Sequence, residues 1–164
     1  MAINKIRNMN RALNVETLTQ SNRGGETYCV SGSLASDVMT LVGRKWIALS
    51  GAYSGSNLSG FTHSNGVLTC NETQGKYYFV VGNLSCNSAT KAHLRLAIAK
   101  NGAILSGSEG SQFLTGSGAS LEKTQIRTMS RVSLANGDTV GLQVINDTSA
   151  LNLTASTIQL VVSQ

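Results

Sequence analysis

Period-two alternation broken by asparagine-glycine corners constrains this chain more than any other feature. Leu94, Leu96 and Ile98 alternate with His93, Arg95 and Ala97, and Val140, Leu142 and Val144 alternate with Gly141, Gln143 and Ile145. Ile158, Leu160 and Val162 alternate with Gln159 and Val161 near the end. Successive side chains of a strand point to opposite faces, so each run reads as a half-buried strand, whereas a helix would spread the same residues around its circumference. The corners agree. Asn65-Gly66 separates Phe61-Thr62-His63 from Val67-Leu68-Thr69, and Asn101-Gly102 separates the Leu94 run from Ala103-Ile104-Leu105. Both have the chemistry of two-residue hairpin turns. Asn136-Gly137-Asp138 supplies a third corner before Val140. An antiparallel all-β sandwich or barrel is predicted.

With 164 residues, one core is the expectation. Only 13% of residues are charged and 5% aromatic, and the spaces between apolar positions are filled by Gly, Ser, Thr and Asn, which suits strands and turns rather than helices. Trp46 to Leu49 reads as strand. Residues 33 to 43 stay open, because Leu34, Val38, Leu41, Lys45 and Leu49 also fit helical spacing while Gly43 opposes it. The Gly- and Ser-rich stretch Ser106 to Ser120 is predicted to be a long surface loop.

Charge divides the chain. The formal net charge is +5, and within residues 1 to 25 the cations Lys5, Arg7, Arg11 and Arg23 face a single acid, Glu16. This segment lacks strand alternation and ends in Arg23-Gly24-Gly25, which reads as a hinge. It is predicted to be a basic arm, followed by one domain over residues 26 to 164. Ile3, Ile6, Met9 and Leu13 could line one side of a short helix, but a helix of that length is marginal in water and would need a partner.

Motifs for chemistry are missing. Ser54 sits one place late for G-x-S-x-G within Gly51 to Gly55, His63 and His93 have no metal-ligand spacing, and the acids form no D-x-D pattern. Gly116-Ser117-Gly118 lacks the lysine and third glycine of a phosphate loop. Cys29, Cys70 and Cys86 form neither a C-x-x-C pair nor an even set, so buried free thiols are expected. The basic residues do not interleave with stacking aromatics, which argues against nucleic acid. No apolar run approaches the roughly 20 residues of a membrane helix, and the opening lacks an apolar signal segment, so synthesis in the cytoplasm is expected. The Asn-x-Ser/Thr triplets at Asn57, Asn71, Asn83, Asn146 and Asn152 are what an Asn-rich chain produces by composition. The chain is expected to bind rather than catalyse, with no catalytic residue, metal or cofactor.

Gly75-Lys76-Tyr77-Tyr78-Phe79, then Lys100-Asn101-Gly102, then Gly137-Asp138-Thr139-Val140, then the apolar run Ser156 to Val162 follow one another along the chain. A G-x-Y-x-F strand, a K-N-G turn, a G-D-x-V strand start and a final apolar strand in this order resemble the C1q and tumour-necrosis-factor-like jelly rolls, over residues 28 to 164. Unlike C1q itself, the sequence has no collagen-like stalk. Small Asn/Ser/Thr-rich versions of this fold look like bacteriophage structural proteins, both head decoration (cement) proteins and fibre tips. The resemblance implies an antiparallel jelly-roll sandwich with an extended N-terminal arm, assembled as a homotrimer. Tyr77 and Phe79 would sit in the core or beside the trimer interface, with Leu142, Val144 and Leu160 in the same core and trimer set. It further implies a virion protein on the capsid exterior whose arm residues Lys5, Arg7, Arg11 and Arg23 bind the major capsid protein. A second reading stays open: a receptor- or glycan-binding fibre tip that meets a host surface glycan through Ser106 to Ser120 or the Tyr53 region.

Overall fold

The computed structural model describes residues 24–30, 38–41, 43–49, 53–115 and 122–164. Twelve strands run in chain order: β1 Gly24–Val30, β2 Val38–Leu41, β3 Ile47–Ala48, β4 Ser54–Ser59, β5 Phe61–Ser64, β6 Val67–Cys70, β7 Lys76–Ser88, β8 Lys91–Lys100, β9 Ala103–Thr115, β10 Glu122–Leu134, β11 Thr139–Asn146 and β12 Leu151–Ser163. They form two antiparallel sheets. The first has the order β10-β7-β12-β1-β4 with β2 also on β12, and the second has the order β5-β6-β11-β8-β9 with β3 also on β11. From β7 to β8, from β9 to β10 and from β11 to β12 the chain crosses from one sheet to the other, so neighbours in sequence face each other across the core. This is the antiparallel all-β sandwich that the alternation predicts, in the jelly-roll form that the resemblance implies.

Alternation sets the core. The inward residues of β7 are Tyr78, Val80, Leu84 and Cys86, and they meet Leu94, Leu96 and Ile98 from β8 and Val140, Leu142 and Val144 from β11, all buried. Tyr78 meets Phe61 of the opposite sheet edge to face, with ring centroids 5.2 Å apart, a favoured aromatic geometry. Cys70 and Cys86 are buried free thiols, and burial pushes the Cys86 thiol up to about 12 because a thiolate there would lose its hydration. Cys29 lies in β1.

The hairpins at Asn65-Gly66 and Asn101-Gly102 form as predicted, each with positive φ at both central residues. Asn136-Gly137 is different. It turns the chain, but β10 pairs with β7 while β11 pairs with β8, β6 and β3, so this corner links the two sheets instead of closing a hairpin. Its neighbour Asp138 fastens it to the Asn101 turn. The carboxylate accepts hydrogen bonds from the Ala135 N–H and the Asn101 amide, each at 2.8 Å, and pairs with Lys100 Nζ at 2.8 Å.

Two expectations need correction. Residues 106–115 are not loop: they belong to β9, whose pairing with β8 runs from Lys91↔Thr115 to Lys100↔Ala103. Gly and Ser fill an edge strand that sends few side chains inward. Between Ala97↔Glu109 and Ala99↔Ile104 the register slips, and residues 105 to 108 bulge opposite Ile98. The buried Ser108 hydroxyl repairs the ladder there, accepting the Ile98 N–H at 3.1 Å and lying within reach of the Ile98 and Leu105 carbonyls. Secondly, Gly24 and Gly25 are no hinge but the first residues of β1, opposite Ser163 and Val162. Of the segment left open, Val38–Leu41 is strand, and residues 33 to 37 and 42 lie outside the described residues. Residues 1 to 23, including Lys5, Arg7, Arg11 and Arg23, and residues 116 to 121 lie outside the described residues.

The sandwich closes along β9 and β10. Gly110 lies so close to the Arg127 carbonyl that any Cβ would collide with it, and Thr128 Oγ1 donates to the Ser108 carbonyl. Gly110→Ala is therefore expected to cost about 1–3 kcal/mol, read as a lowered Tm, while Gly75→Ala, whose added Cβ would meet nothing nearer than 3.8 Å, leaves Tm nearly unchanged.

Asp138 gives a pH signature. Its bonds to Lys100, Ala135 and Asn101 hold the carboxyl down to about 2, against roughly 4 in an unfolded chain. A carboxyl depressed in the folded state contributes its stability above the unfolded value and loses it as pH falls through the folded one. The Tm advantage of the natural chain over Asp138→Asn should hold at neutral pH and shrink between pH about 4 and about 2.

Candidate functional site

The two outer sheet faces differ in chemistry. On the β10-β7-β12 face the outward residues of β7 are Tyr77, Phe79, Val81 and Asn83, opposite Ser133, Arg131, Met129 and Arg127 of β10. On the other side of β7, Val161 and Gln159 of β12 face Val81 and Asn83. Tyr77 is 60% exposed, Phe79 62% and Met129 68%. A folded chain rarely leaves so many large apolar side chains together in water without a use. Arg131 lies over the Tyr77 ring, 4.4 Å from its centroid, an attractive cation-π arrangement that keeps this cation on the patch.

A hydrogen-bonded row runs beside this apolar band across all strands of the sheet's main path. Arg127 Nε donates to Asn83 Oδ1 at 2.9 Å, Asn83 Nδ2 to Gln159 Oε1 at 3.1 Å, Gln159 Nε2 to Glu26 Oε1 at 2.6 Å, and Ser56 Oγ to Glu26 Oε2 at 3.3 Å. The row starts on the Arg127 cation of β10 and ends on the Ser56 hydroxyl of β4, with the Glu26 carboxylate next to last. Because its members already satisfy one another, covering it with protein costs less than covering the same groups unpaired. At the end of this sheet a groove of about 640 Å³ opens between Gly24–Glu26, Asn57–Ser59 and Val161–Gln164, beside the point where residues 1 to 23 join β1.

The opposite sheet carries an ionic cluster on its outer face. Arg95 holds Asp147 with two bonds, Nε to Oδ2 and Nη2 to Oδ1, both 2.8 Å, and reaches Glu109 with Nη1 at 2.5 Å. Such a bidentate fork is the strongest geometry for this pair. The bond from Arg95 holds the Asp147 carboxyl below the usual carboxylate range. Arg95 also stands 5.4 Å from the Trp46 ring centroid, and His93 Nδ1 lies 3.2 Å from Asp147 Oδ2.

The structure divides the predicted site residues. Leu142, Val144 and Leu160 are buried within a single chain, and Leu142 packs where Gly82 offers no side chain. Tyr77 and Phe79 are not in the core: Tyr78, fully buried between them, takes that place. In G-x-Y-x-F the two named aromatics share one face, and that face is the outer one. Tyr53 is not a free binding residue either. Its hydroxyl donates to the Leu49 carbonyl at 2.9 Å and its ring lies against Gly66. Asn146 and Asn83, both in glycosylation-like triplets, are held in place, Asn146 bonding the Ser149 carbonyl and the Thr148 N–H and hydroxyl. Among the described residues no group of three His, Cys, Asp or Glu side chains could hold a metal ion, and no helix is long and apolar enough to cross a membrane.

No motif marks Met129, Arg127, Arg131, Glu26 or Gln159. The signal was present in the alternation of Lys123, Gln125, Arg127, Met129 and Arg131 against Ile126, Thr128 and Val132, which marks one long strand.

Comparison with known proteins supports the fold. No family model and no curated protein matches the sequence. Among solved structures the chain is similar to Eiger TNF from S. frugiperda, with a TM-score of 0.57 and 10% identity over 85% of this chain and 91% of that one. It is also similar to the PRD1 vertex protein P5, with a TM-score of 0.51 and 11% identity over 88% of this chain and 97% of that one. Murine APRIL matches with a TM-score of 0.50 and 9% identity over 87% of this chain and 100% of that one. The fold is a TNF-like jelly roll.

The division of β7 into two faces is directly testable. Tyr78→Ala should remove about 3–5 kcal/mol of stability, whereas Phe79→Ala and Tyr77→Ala, which remove no contact of the core within one chain, should change the stability of the single folded chain by no more than about 0.5 kcal/mol, as read from denaturant midpoints at a concentration low enough to keep copies apart.

Proposed function

We propose that the protein is a structural virion protein: a homotrimeric capsid decoration, or cement, protein that binds and stabilises the major capsid shell of a tailed bacteriophage. The observation that carries the self-association is the exposed band of Tyr77, Phe79 and Met129 beside a satisfied polar row on one sheet. An apolar strip for burial, flanked by a row that fixes register, is what an interface between copies requires. A cation on the β10 side of the row and a carboxylate toward its β1–β4 side suit a head-to-tail ring, in which each copy's β10 side approaches the next copy's β1–β4 side.

In this reading Lys5, Arg7, Arg11 and Arg23 belong to an arm, residues 1 to 23, that reaches acidic groups of the capsid lattice. The groove lined by Gly24–Glu26 lies at the start of β1, next in sequence to that segment. A trimer placed on a threefold lattice site repeats each weak contact and multiplies its effect. The likeness to a vertex protein fits a virion role on the capsid exterior, after synthesis in the host cytoplasm.

Co-sedimentation with undecorated phage heads tests this reading. The full chain should pellet with heads and release as salt rises, since surface ion pairs are screened. Removing residues 1 to 23 should weaken attachment without unfolding the domain. Phe79→Asp should weaken it by roughly a hundredfold through lost multivalency. Sedimentation with host cells but not with heads would replace the cement role with receptor binding.

A further inference from the structure

Phe113 is unexplained by the self-association face. It lies on β9, on the outer face of the other sheet, and is 65% exposed. Its cross-strand partner is His93, and the two rings stack nearly parallel, 8° apart with centroids 4.0 Å from each other. His93 is in turn held near Asp147. An exposed ring is thus fixed flat against the sheet, one face on His93 and the other toward water.

The same strand continues the surface. Phe113, Ser111 and Glu109 are outward residues of β9, opposite His93, Arg95 and Ala97 of β8. Alternate residues of a strand are about 6.7 Å apart, so the strip from Phe113 to Glu109 spans roughly 13 Å. Its carboxylates, Glu109 and Asp147, are both anchored by Arg95. Each carboxylate oxygen has lone pairs beyond those Arg95 uses, and a guanidinium has five N–H donors, of which three are engaged here.

Charge narrows the ligand. Arg95 and Arg44 are matched by Glu109 and Asp147, Arg44 sitting at the Asp147 backbone carbonyl, 3.3 Å away. Between Phe113 and Glu109 the charges are therefore matched, with Lys91, the next outward residue of β8, lying beyond the Phe113 end opposite Thr115. The strip offers a fixed aromatic face and rigid acceptors and donors side by side. A ring whose C–H face is apolar and whose edge carries hydroxyls uses both at once.

From this geometry we infer that the Phe113–His93–Arg95–Glu109–Asp147 strip is a binding site for a neutral oligosaccharide. One pyranose ring stacks on Phe113, and hydroxyls of the next ring donate to Glu109 and Asp147 and accept from Arg95. Since this face is opposite the one used for self-association, a trimer would carry three such strips pointing outward. The site does not depend on capsid attachment.

The test uses the full chain in solution with monovalent probes: glucose-, galactose- and N-acetylglucosamine-based trisaccharides, and a sialylated trisaccharide for comparison. Saturation-transfer NMR and calorimetry should show saturable binding of at least one neutral probe. Phe113→Ala should weaken it at least about tenfold, and Glu109→Gln should weaken it too, both with an unchanged melting profile. Thr62→Ala, on an exposed position of β5, should bind as the natural chain does. Loss of sugar binding with mass and head attachment intact separates this site from the cement role. Failure of all neutral probes to bind at millimolar concentration, binding of the sialylated probe alone, or natural affinity in Phe113→Ala would each overturn the assignment.

Discussion

Everything in this molecule follows from the parity of β7. Its even positions, Tyr78, Val80, Leu84 and Cys86, fill the space between the sheets, and its odd positions, Tyr77, Phe79, Val81 and Asn83, face outward. The strand is held on both sides, by β10 over its full length and by β12 over most of it. A slip of one residue would exchange the two sets, putting Asn83 in the core and Tyr78 in water, so the register is specified strongly. The edge-to-face contact of Tyr78 with Phe61 and the fit of Leu142 over Gly82 then lock the second sheet onto the first.

That parity produces two outer surfaces with different chemistry. One presents aromatics and a methionine next to a hydrogen-bonded polar row, a surface suited to another copy of the same protein. The other presents an arginine fork, two carboxylates and a stacked ring pair, and its charges are internally matched. Between them, the bulge at Ser108 and the approach of Gly110 to Arg127 close the sandwich without a covering helix. A closed sandwich frees both sheet faces for binding, which is how a small domain of this kind can serve two partners.

Much of the fold was legible in the sequence, because alternation and Asn-Gly corners are local signals. Leu94, Leu96 and Ile98 are inward and the two hairpins form where Asn-Gly stands. What failed were readings that depend on pairing partners. Ser106 to Thr115 looks like a loop because its strand is an edge, which needs only Leu114, Ser108 and a few others inside, and a bulge interrupts its period. Asn136-Gly137 looks like a hairpin because turn chemistry does not say which sheet the next strand joins. The candidate surfaces were half legible. Tyr77 and Phe79 stand out as a pair, but three consecutive aromatic residues do not announce which of them is inward until a neighbour fixes the register. The pairing of His93 with Phe113 is invisible without β9.

The central claim is that the exposed Tyr77, Phe79 and Met129 band is an interface between copies, and the molar mass of the natural chain in solution tests it most directly. Light scattering coupled to size exclusion at micromolar concentration should give three times the 17.2 kDa chain mass. A single-chain mass across that range would contradict it.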